Sequence, residues 1–575
     1  MRFFKLLLSV ALLISVTIPT VGFAKEKAKS TSPAYDIVKY ANSMQPGWNL
    51  GNTFDGFDTN KVVLDETAWG NPQVTKDLIK KIKKQGFNSI RIPITFDTRL
   101  GDAPDYTINP QFLSRVDTVV NWALDADLKV MINIHHDSWS WVANGMPWDH
   151  DPTVMKFNAI WTQLSEHFKH YPSDLMFESL NEPQFWGDGG DAQGQQFLNE
   201  LNDSFYEIVR SSGGKNNTRA LVIPTLHTNF EKQELVDNLY NWIHEKEDPY
   251  IISTVHYYGY WPFSVNVAGT TTFDEQSRNH ITENFDRVYD KFTSNGIPVV
   301  IGEFGLLGFD QNTGTIQQGE KLKFFEYMIN YAEQKGLIHM LWDNGQHFNR
   351  STLQWNDPQL YDMMKASWKG RSSTADTDFI FLKQGEQTTD VTRTLNLNGN
   401  KFVSLKQGKK RLVPGKDYTL DGNKLTLKAS FLSKFTSNKL GKTAVLTAKF
   451  NKGANWTFTI YQHDTPVASD ASGSTSDFAI PMQFNGDQLK TMEAVYTDDA
   501  SAAGPQNWTS YKEFGYAFAP NYESNTITFP YGNERFFNEI ENHREVKLTF
   551  HYWSGETVTY LITRSGDNVV GTAVK

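Results

Sequence analysis

The chain has 575 residues, a formal net charge of -10 and no cysteine. That length exceeds what one hydrophobic core fills, so roughly two to four domains are expected. Interspersed acids and bases leave no basic patch for nucleic acid, and the lack of cysteine excludes disulfides, thiol catalysis and Cys-based zinc sites. Aromatic residues reach 14%, with 16 Trp, which suits stacking on the C–H faces of sugar rings as well as core packing.

In chain order, residues 1–24 read as a secretory signal. Met1, Arg2 and Lys5 form a basic start, Leu6 to Ile18 is an apolar run too short for a comfortable membrane span, and Gly22 and Ala24 suit a cleavage site. A secreted, extracellular chain beginning near Lys25 is expected, with no membrane partner in its mature form and no oligomer beyond a monomer. Residues 25–36 are charged and small and read as a leader.

From 37 to 370 short apolar strands alternate with amphipathic helices. The expected strands are 47–50, 89–93, 130–135, 175–182, 220–223, 251–256, 298–303 and 338–342. The expected helices include 74–85, 111–128, 153–170 and 321–335. Eight strands alternating with helices give the count of a (β/α)₈ TIM barrel, an α/β fold. An open doubly wound sheet is the alternative, but the phosphate-binding glycine loop common there is missing. Polar residues end these strands: Arg91, His135, Asn181, Glu182, His256, Glu303 and Trp342. A buried parallel strand should finish apolar, and barrel active sites sit at the C-terminal strand ends.

Residues 371–378 are polar and aperiodic and read as a linker. Residues 379–467 alternate like a β-sandwich of immunoglobulin-like length, with turn signals at Pro414-Gly415 and Asp421-Gly422-Asn423. There Phe450, Trp456 and Phe458 are expected in the core. Residues 468–476 read as a second linker, and 477–575 as a second β-sandwich module. Its aromatic density, including Trp508 after Gly504-Pro505-Gln506-Asn507, exceeds what a small core needs, so Trp508 is expected as a surface platform.

The chemistry rests on two carboxylates. Glu182 follows an apolar strand and precedes Pro183; Glu303 ends another between Gly302 and Gly305. Glycoside hydrolysis needs an acid at the leaving oxygen and a carboxylate at the anomeric carbon. Arg91 can hold a carboxylate ionised, while His135, His136, His256 and Tyr258 offer hydrogen bonds to sugar hydroxyls. Glu178, inside the expected strand, reads as a structural carboxylate paired with a barrel-lining cation. Trp139, Trp141, Trp148, Trp186, Trp261 and Trp355 lie in loops and are candidates for an open cleft. No calcium loop or zinc-spaced histidine cluster is visible, so neither metal nor cofactor is expected.

The motifs Arg91-Ile92-Pro93, Asn133-Ile134-His135-His136, Asn181-Glu182-Pro183, His256-Tyr257-Tyr258, Ile301-Gly302-Glu303-Phe304-Gly305 and Leu341-Trp342-Asp343 together resemble glycoside hydrolase family five. Gly47-Trp48-Asn49-Leu50-Gly51-Asn52 and the His-His pair resemble its subfamily four, a group of endoglucanases and xyloglucanases. The resemblance implies a retaining endo-β-1,4-glucanase acting on β-glucan polysaccharide, with Glu182 as acid/base and Glu303 as nucleophile. It also implies that Arg91, His135, Asn181, His256, Tyr258 and Trp342 form the −1 subsite, with Asn181 on the 2-hydroxyl, Tyr258 steadying Glu303 and Trp342 under the ring. The middle module resembles the X2 immunoglobulin-like module, and the last resembles carbohydrate-binding module family forty-six. A β-mannanase on the same barrel and a non-catalytic glycan-binding scaffold are the rival readings.

Overall fold

The computed structural model describes residues 35–58, 65–308, 312–436 and 439–574. The expected signal over 1–24 and most of the leader lie outside them. Among the described residues no helix is long and apolar enough to cross a membrane.

Eight parallel strands close into a barrel in sequence order. They are β1 (Gly47–Asn49), β2 (Ser89–Ile92), β3 (Lys129–Asn133), β4 (Leu175–Glu178), β5 (Leu221–Pro224), β6 (Ile251–Tyr257), β7 (Val299–Phe304) and β8 (Leu337–Leu341). β1 pairs with both β2 and β8, which shuts the ring. The helices between them follow their sequence signals. Lys76–Gln85 starts at Thr75, whose side chain caps Leu78 N–H, buries Leu78, Ile79 and Ile82, and stops at left-handed Gly86. Pro110–Asp125 starts with an Asn109 cap and Pro110 in its first turn.

Strand alternation sorts the barrel interior into layers. Met131, Met176, Val222, Ile252, Val300, Ile338 and Met340 form an apolar plug with Ala41 and Met44. Two residues further along, the same faces of β3 and β4 present Asn133 and Glu178. The site is therefore a polar layer built on an apolar floor.

Two sequence expectations need correction at the module joints. Residues 371–378 are not a free linker. Thr374–Ala375 pairs with Val391–Asn396 of the middle module, Ser372 and Ser373 are buried, and Arg371 forks onto Glu326 of the barrel at 2.6 and 2.9 Å. Residues 468–476 are not a linker either: Val467–Ala468 pairs with Ala479–Gln483, and Ala471–Ser474 pairs with Asn568–Ala573. Small polar residues look alike whether water or a neighbouring strand satisfies their backbone, so composition could not separate the two cases.

The middle module comprises a four-stranded and a five-stranded sheet. Leu395, Leu425, Leu446, Trp456 and Phe458 meet in its core, in the same contiguous cluster as the barrel's. Phe450 is buried as well. The last module comprises a four-stranded and a six-stranded sheet around a core of its own that includes Ile480, Met492, Phe518, Leu548 and Tyr560. Asp464 N–H bonds to Asn485 O at 3.0 Å and Lys383 pairs with Glu556 at 2.7 Å, fastening the last module to the middle one. At this joint Gly486 has φ +80°, and an added Cβ would stand 2.4 Å from Gly441 N, so only glycine lets the two backbones approach. The last module also docks on the barrel. Phe514 N–H bonds to Asn266 O at 3.1 Å, Ala268 N–H to Tyr511 O at 3.3 Å, and Asn266 Nδ2 to Lys490 O at 3.2 Å.

Candidate active site

Arg91 is the hub. Its guanidinium is wholly buried and donates to Glu178 Oε2 (2.7 Å), Glu303 Oε1 (2.6 Å), Asn181 Oδ1 (2.7 Å) and Asn49 Oδ1 (3.1 Å). Burial opposes its charge, but the carboxylates of Glu178 and Glu303 outweigh burial and hold its pKa above the ordinary arginine value. A planar donor fork suits this arrangement, because one cation fixes four side chains at set angles. The structural role expected for Glu178 is met: it takes the charge of Arg91 and a bond from Asn133 Nδ2 at 2.8 Å.

Glu303 is aimed by a bulge. Val255 of β6 faces Ile301, but His256 faces Glu303, so Gly302 is the extra residue. A Cβ there would lie 2.9 Å from Thr254 Oγ1 and 3.1 Å from His256 Nε2. The Gly302 carbonyl is taken by Asn49 Nδ2 at 2.9 Å. Glu303 Oε2 then accepts from Tyr258 at 2.6 Å while Oε1 accepts from Arg91.

Glu182 comes from a different construction. β4 ends at Glu178, earlier than the expected 182, and the chain turns out of the barrel through Ser179 to Asn181. Glu182 itself sits at φ +37°, a costly backbone for a residue with a Cβ. Its side chain is a third exposed and bonds to His256 Nδ1 at 3.0 Å. Burial raises its pKa, yet His256, by hydrogen bond and charge, and Arg91 lower it further, so the carboxyl lies below its usual range. Carboxylate oxygens of Glu182 and Glu303 and a ring nitrogen of His256 all fall within 4.8 Å of one another.

His135 is a neutral imidazole: burial, with the neighbouring His136 and Arg91, pushes its pKa well below the ordinary value. Asn133 donates through Nδ2 to Glu178 and accepts Ile94 N–H on Oδ1 at 3.2 Å, so its amide orientation is set. Nδ2 also lies 3.1 Å from His135 Nδ1, which makes that nitrogen the acceptor and leaves the proton on Nε2, 4.0 Å from Glu303. The His135 ring lies parallel to Trp342, 5.9 Å between centroids and 5° apart. Gly51 makes room for that indole: an added Cβ would meet Trp342 Cη2 at 2.9 Å. His136 packs against Trp69 and Trp139, with ring centroids 5.0 and 4.3 Å away, and faces Asp55 at 3.5 Å.

The structure thus brings Arg91, His135, Asn181, Glu182, His256, Tyr258, Glu303 and Trp342 together. His136 stands beside them and Trp508 apart, on the last module. Asn49, Asn133 and Asp343 belong to the constellation but were not expected to act there. Asp343 is buried and accepts from Trp48 Nε1 (2.8 Å), Gly345 N–H (2.9 Å) and Phe348 N–H (3.0 Å), which shapes the turn after β8. Asp55, His135 and His136 form a second group with donor atoms within 4.8 Å, but Asp55 already accepts Asn52 and Thr53 N–H.

Of the loop tryptophans, Trp148 (66% exposed) and Trp186 (52%) are open to solvent, and Trp139 and Trp261 partly so. Trp69, also exposed, was missed. Two expected cleft residues are not platforms. Trp141 is tied to Asp137 Oδ1 at 2.7 Å under Lys156, and Trp355 is stacked on Tyr361 at 4.4 Å.

A carboxylate pair at this spacing, at the C-terminal end of a barrel whose loops carry exposed tryptophans, is equipped to cleave a glycosidic bond. Comparison with known proteins agrees. Residues 48–348 match Cellulase (glycosyl hydrolase family 5). The chain belongs to glycosyl hydrolase family 5. Residues 374–460 match the carbohydrate binding domain X2, and 464–572 the family 46 carbohydrate binding domain. The latter match begins before 468, in agreement with the folded joint. Endoglucanase B of Paenibacillus lautus is 51% identical over 574 residues, 99% of each chain. The full-length tri-modular endo-β-1,4-glucanase B of Bacillus halodurans is 53% identical, with TM-score 0.90 over 94% of this chain and 100% of that one. A tri-modular subfamily 4 endo-β-1,4-glucanase from Bacillus licheniformis, complexed with cellotetraose, is 30% identical, with TM-score 0.77 over 94% of this chain and 100% of that one. The family 5 chain is a glycoside hydrolase of endo-β-1,4-glucanase type with two carbohydrate-binding modules, which sets aside the non-catalytic scaffold reading.

Proposed function

We propose that this endo-β-1,4-glucanase is a retaining enzyme in which Glu303 is the nucleophile and Glu182 the acid/base. The separation of the two carboxylates carries the reading. One oxygen of each lies within 4.8 Å of the other, on the scale of the roughly 5–5.5 Å between carboxyls that double displacement uses.

In the first half-reaction a Glu303 oxygen bonds to the anomeric carbon as the glycosidic C–O bond breaks, and Glu182 gives its proton to the leaving oxygen. In the second, Glu182 takes a proton from water, the water oxygen bonds to the anomeric carbon and the Glu303 ester opens. Arg91 and Tyr258 each donate to one Glu303 oxygen and orient the carboxylate for attack. The exposed third of Glu182 is the part a bound sugar covers. Covering it strengthens the burial effect that raises its pKa, toward the protonated form the first half-reaction needs. Asn181 beside Glu182 reaches the 2-hydroxyl, His135 donates Nε2–H to the sugar, and Trp342 forms the floor. His136 with Trp69 and Trp139 extends the binding surface.

The substrate is a β-1,4-linked glucan chain: cellulose, mixed-linkage glucan or xyloglucan. Trp508 is 60% exposed in its loop, and its ring centroid stands 6.1 Å from that of Trp261, which follows β6 and the site residues His256 and Tyr258. The pair offers a stacking surface for an outer sugar. The basic start, apolar run and small residues of 1–24 support secretion; sequencing the exported protein tests it, with a mature N-terminus near Lys25 expected. The mechanism is tested by proton NMR of early products from cellotetraose. A β-anomer released first supports double displacement, and an α-anomer released first refutes it.

A further inference from the structure

Lys512 is wholly buried in the last module, yet its ammonium meets no carboxylate among the described residues. It donates instead to three backbone carbonyls, of Pro505 (3.0 Å), Gln506 (3.3 Å) and Thr509 (2.7 Å). All belong to the turn that carries Trp508. The turn is otherwise lightly held: Thr509 N–H reaches Gln506 O at 3.1 Å, and Gln506 sits at φ +50° with Nε2 on Glu513 at 2.9 Å. Trp508 projects from it, exposed, and is not among the described residues that form or pack on the module's core.

The strand Tyr511–Lys512 pairs with Met492 and Glu493 of the module's six-stranded sheet. Successive strand residues point to opposite sides. Tyr511 turns to the barrel, where its carbonyl accepts Ala268 N–H and its ring lies 3.4 Å from where a Gly269 Cβ would be. Lys512 turns the other way, into the carbonyl cage. One two-residue strand therefore grips the barrel with one side chain and the Trp508 turn with the next. Burial pushes the Lys512 ammonium down to about 8, so it remains charged at neutral pH. A lysine has three donors and no acceptor, and three carbonyls match that inventory.

We propose that Lys512 is a positioning residue for the outer end of the cleft: its ammonium ties the 505–509 turn so that Trp508 stands beside Trp261 in register to stack on a glucan chain. This rests on Trp508 being a sugar platform, and it adds a residue that touches no substrate.

The test is a double-mutant cycle on the full chain with soluble mixed-linkage β-glucan, measuring KM, kcat and calorimetric melting for wild type, Lys512→Met, Trp508→Ala and the double variant. Lys512→Met raises KM by about 2- to 12-fold, the range of one aromatic stack, and leaves kcat within about twofold. The double variant has the KM of Trp508→Ala alone, because a residue that works only through Trp508 has nothing left to position. A wild-type KM for Lys512→Met beside a raised KM for Trp508→Ala overturns the inference, as does a double variant whose KM change is the product of the two singles. A wild-type KM for Trp508→Ala overturns the platform reading, and this one with it. If Lys512→Met loses the last module's melting transition, Lys512→Gln, which keeps an N–H donor near the cage, goes through the same cycle under the same criteria.

Discussion

The two ends of the proposed glucan path are built on opposite principles. At the barrel axis, Arg91, Glu178 and Glu303 are buried, charged and interlocked, and each position is fixed by several hydrogen bonds. At the outer end, Trp261 and Trp508 are exposed, uncharged and contributed by separate modules. Chemistry at the anomeric carbon needs atoms held to a fraction of an ångström, and buried ion networks provide that. Holding a long polymer needs area and tolerance, which aromatic faces supply. The inner end should therefore break abruptly on substitution and the outer end by degrees.

The largest effect is expected at the nucleophile. Glu303→Ala should lower turnover by at least about 10⁴-fold. Added azide should restore part of it and give a glycosyl azide of inverted configuration, read by NMR. Recovery through a product of retained configuration would contradict the assignment. Next comes the hub. Arg91→Met strands Glu178 and Glu303 as buried carboxylates without their cation, a loss of roughly 3–5 kcal/mol in stability by analogy with broken buried pairs. Chemical denaturation should show it together with loss of activity; a stable, active variant would mean that the network is ornamental.

Glu182→Ala should slow natural glucans by about 10²–10⁴-fold and affect an aryl celloside with a good leaving group far less, since that oxygen needs no proton. Equal losses on both substrates would move the acid elsewhere. The pH profile offers a finer probe. His256 lowers the Glu182 pKa, and the acid must be protonated to act, so in the free enzyme the alkaline limb of kcat/KM follows Glu182. Removing the imidazole lets burial dominate and raises the Glu182 pKa, so His256→Ala should shift that limb to higher pH. A shift to lower pH would show that His256 does not act on Glu182 in this way.

The smallest effect is at the outer end. Trp508→Ala should raise KM for polymeric glucan by about 2- to 12-fold, one stacked ring, without changing the melting temperature. A truncation meant to remove the whole module must end before 464, because Val467–Ala468 and Ala471–Ser474 are strands of that module.

Much of the inner end was legible beforehand. A polar residue closing an apolar strand is conspicuous, and Arg91, His135, Glu182, His256 and Glu303 all announced themselves that way. Glu178 and Asn133 also carried a signal: each stands two residues beyond an interior methionine, Met176 and Met131, and so shares its face. Asn49 had no such marker, since β1 is three residues long and its partner at the equivalent interior position is Gly47. Trp355 was misjudged because a tryptophan in a polar loop looks the same whether its face meets solvent or the ring of Tyr361.

The residues and their order were sufficient for the eight-strand alternation, the candidate carboxylates and the β-character of the last two modules, because burial periodicity and turn chemistry are local properties of a chain. What packs against what is not local. The bulge at Gly302 that aims Glu303, the positive φ that presents Glu182, the pairing that turned two apparent linkers into strands, and the meeting of Trp261 with Trp508 some 250 residues later in the chain each depend on surfaces brought together only when the modules close on one another. Tertiary packing decided them because each local cost, a strained backbone or an exposed ring, is offset by partners distant in sequence.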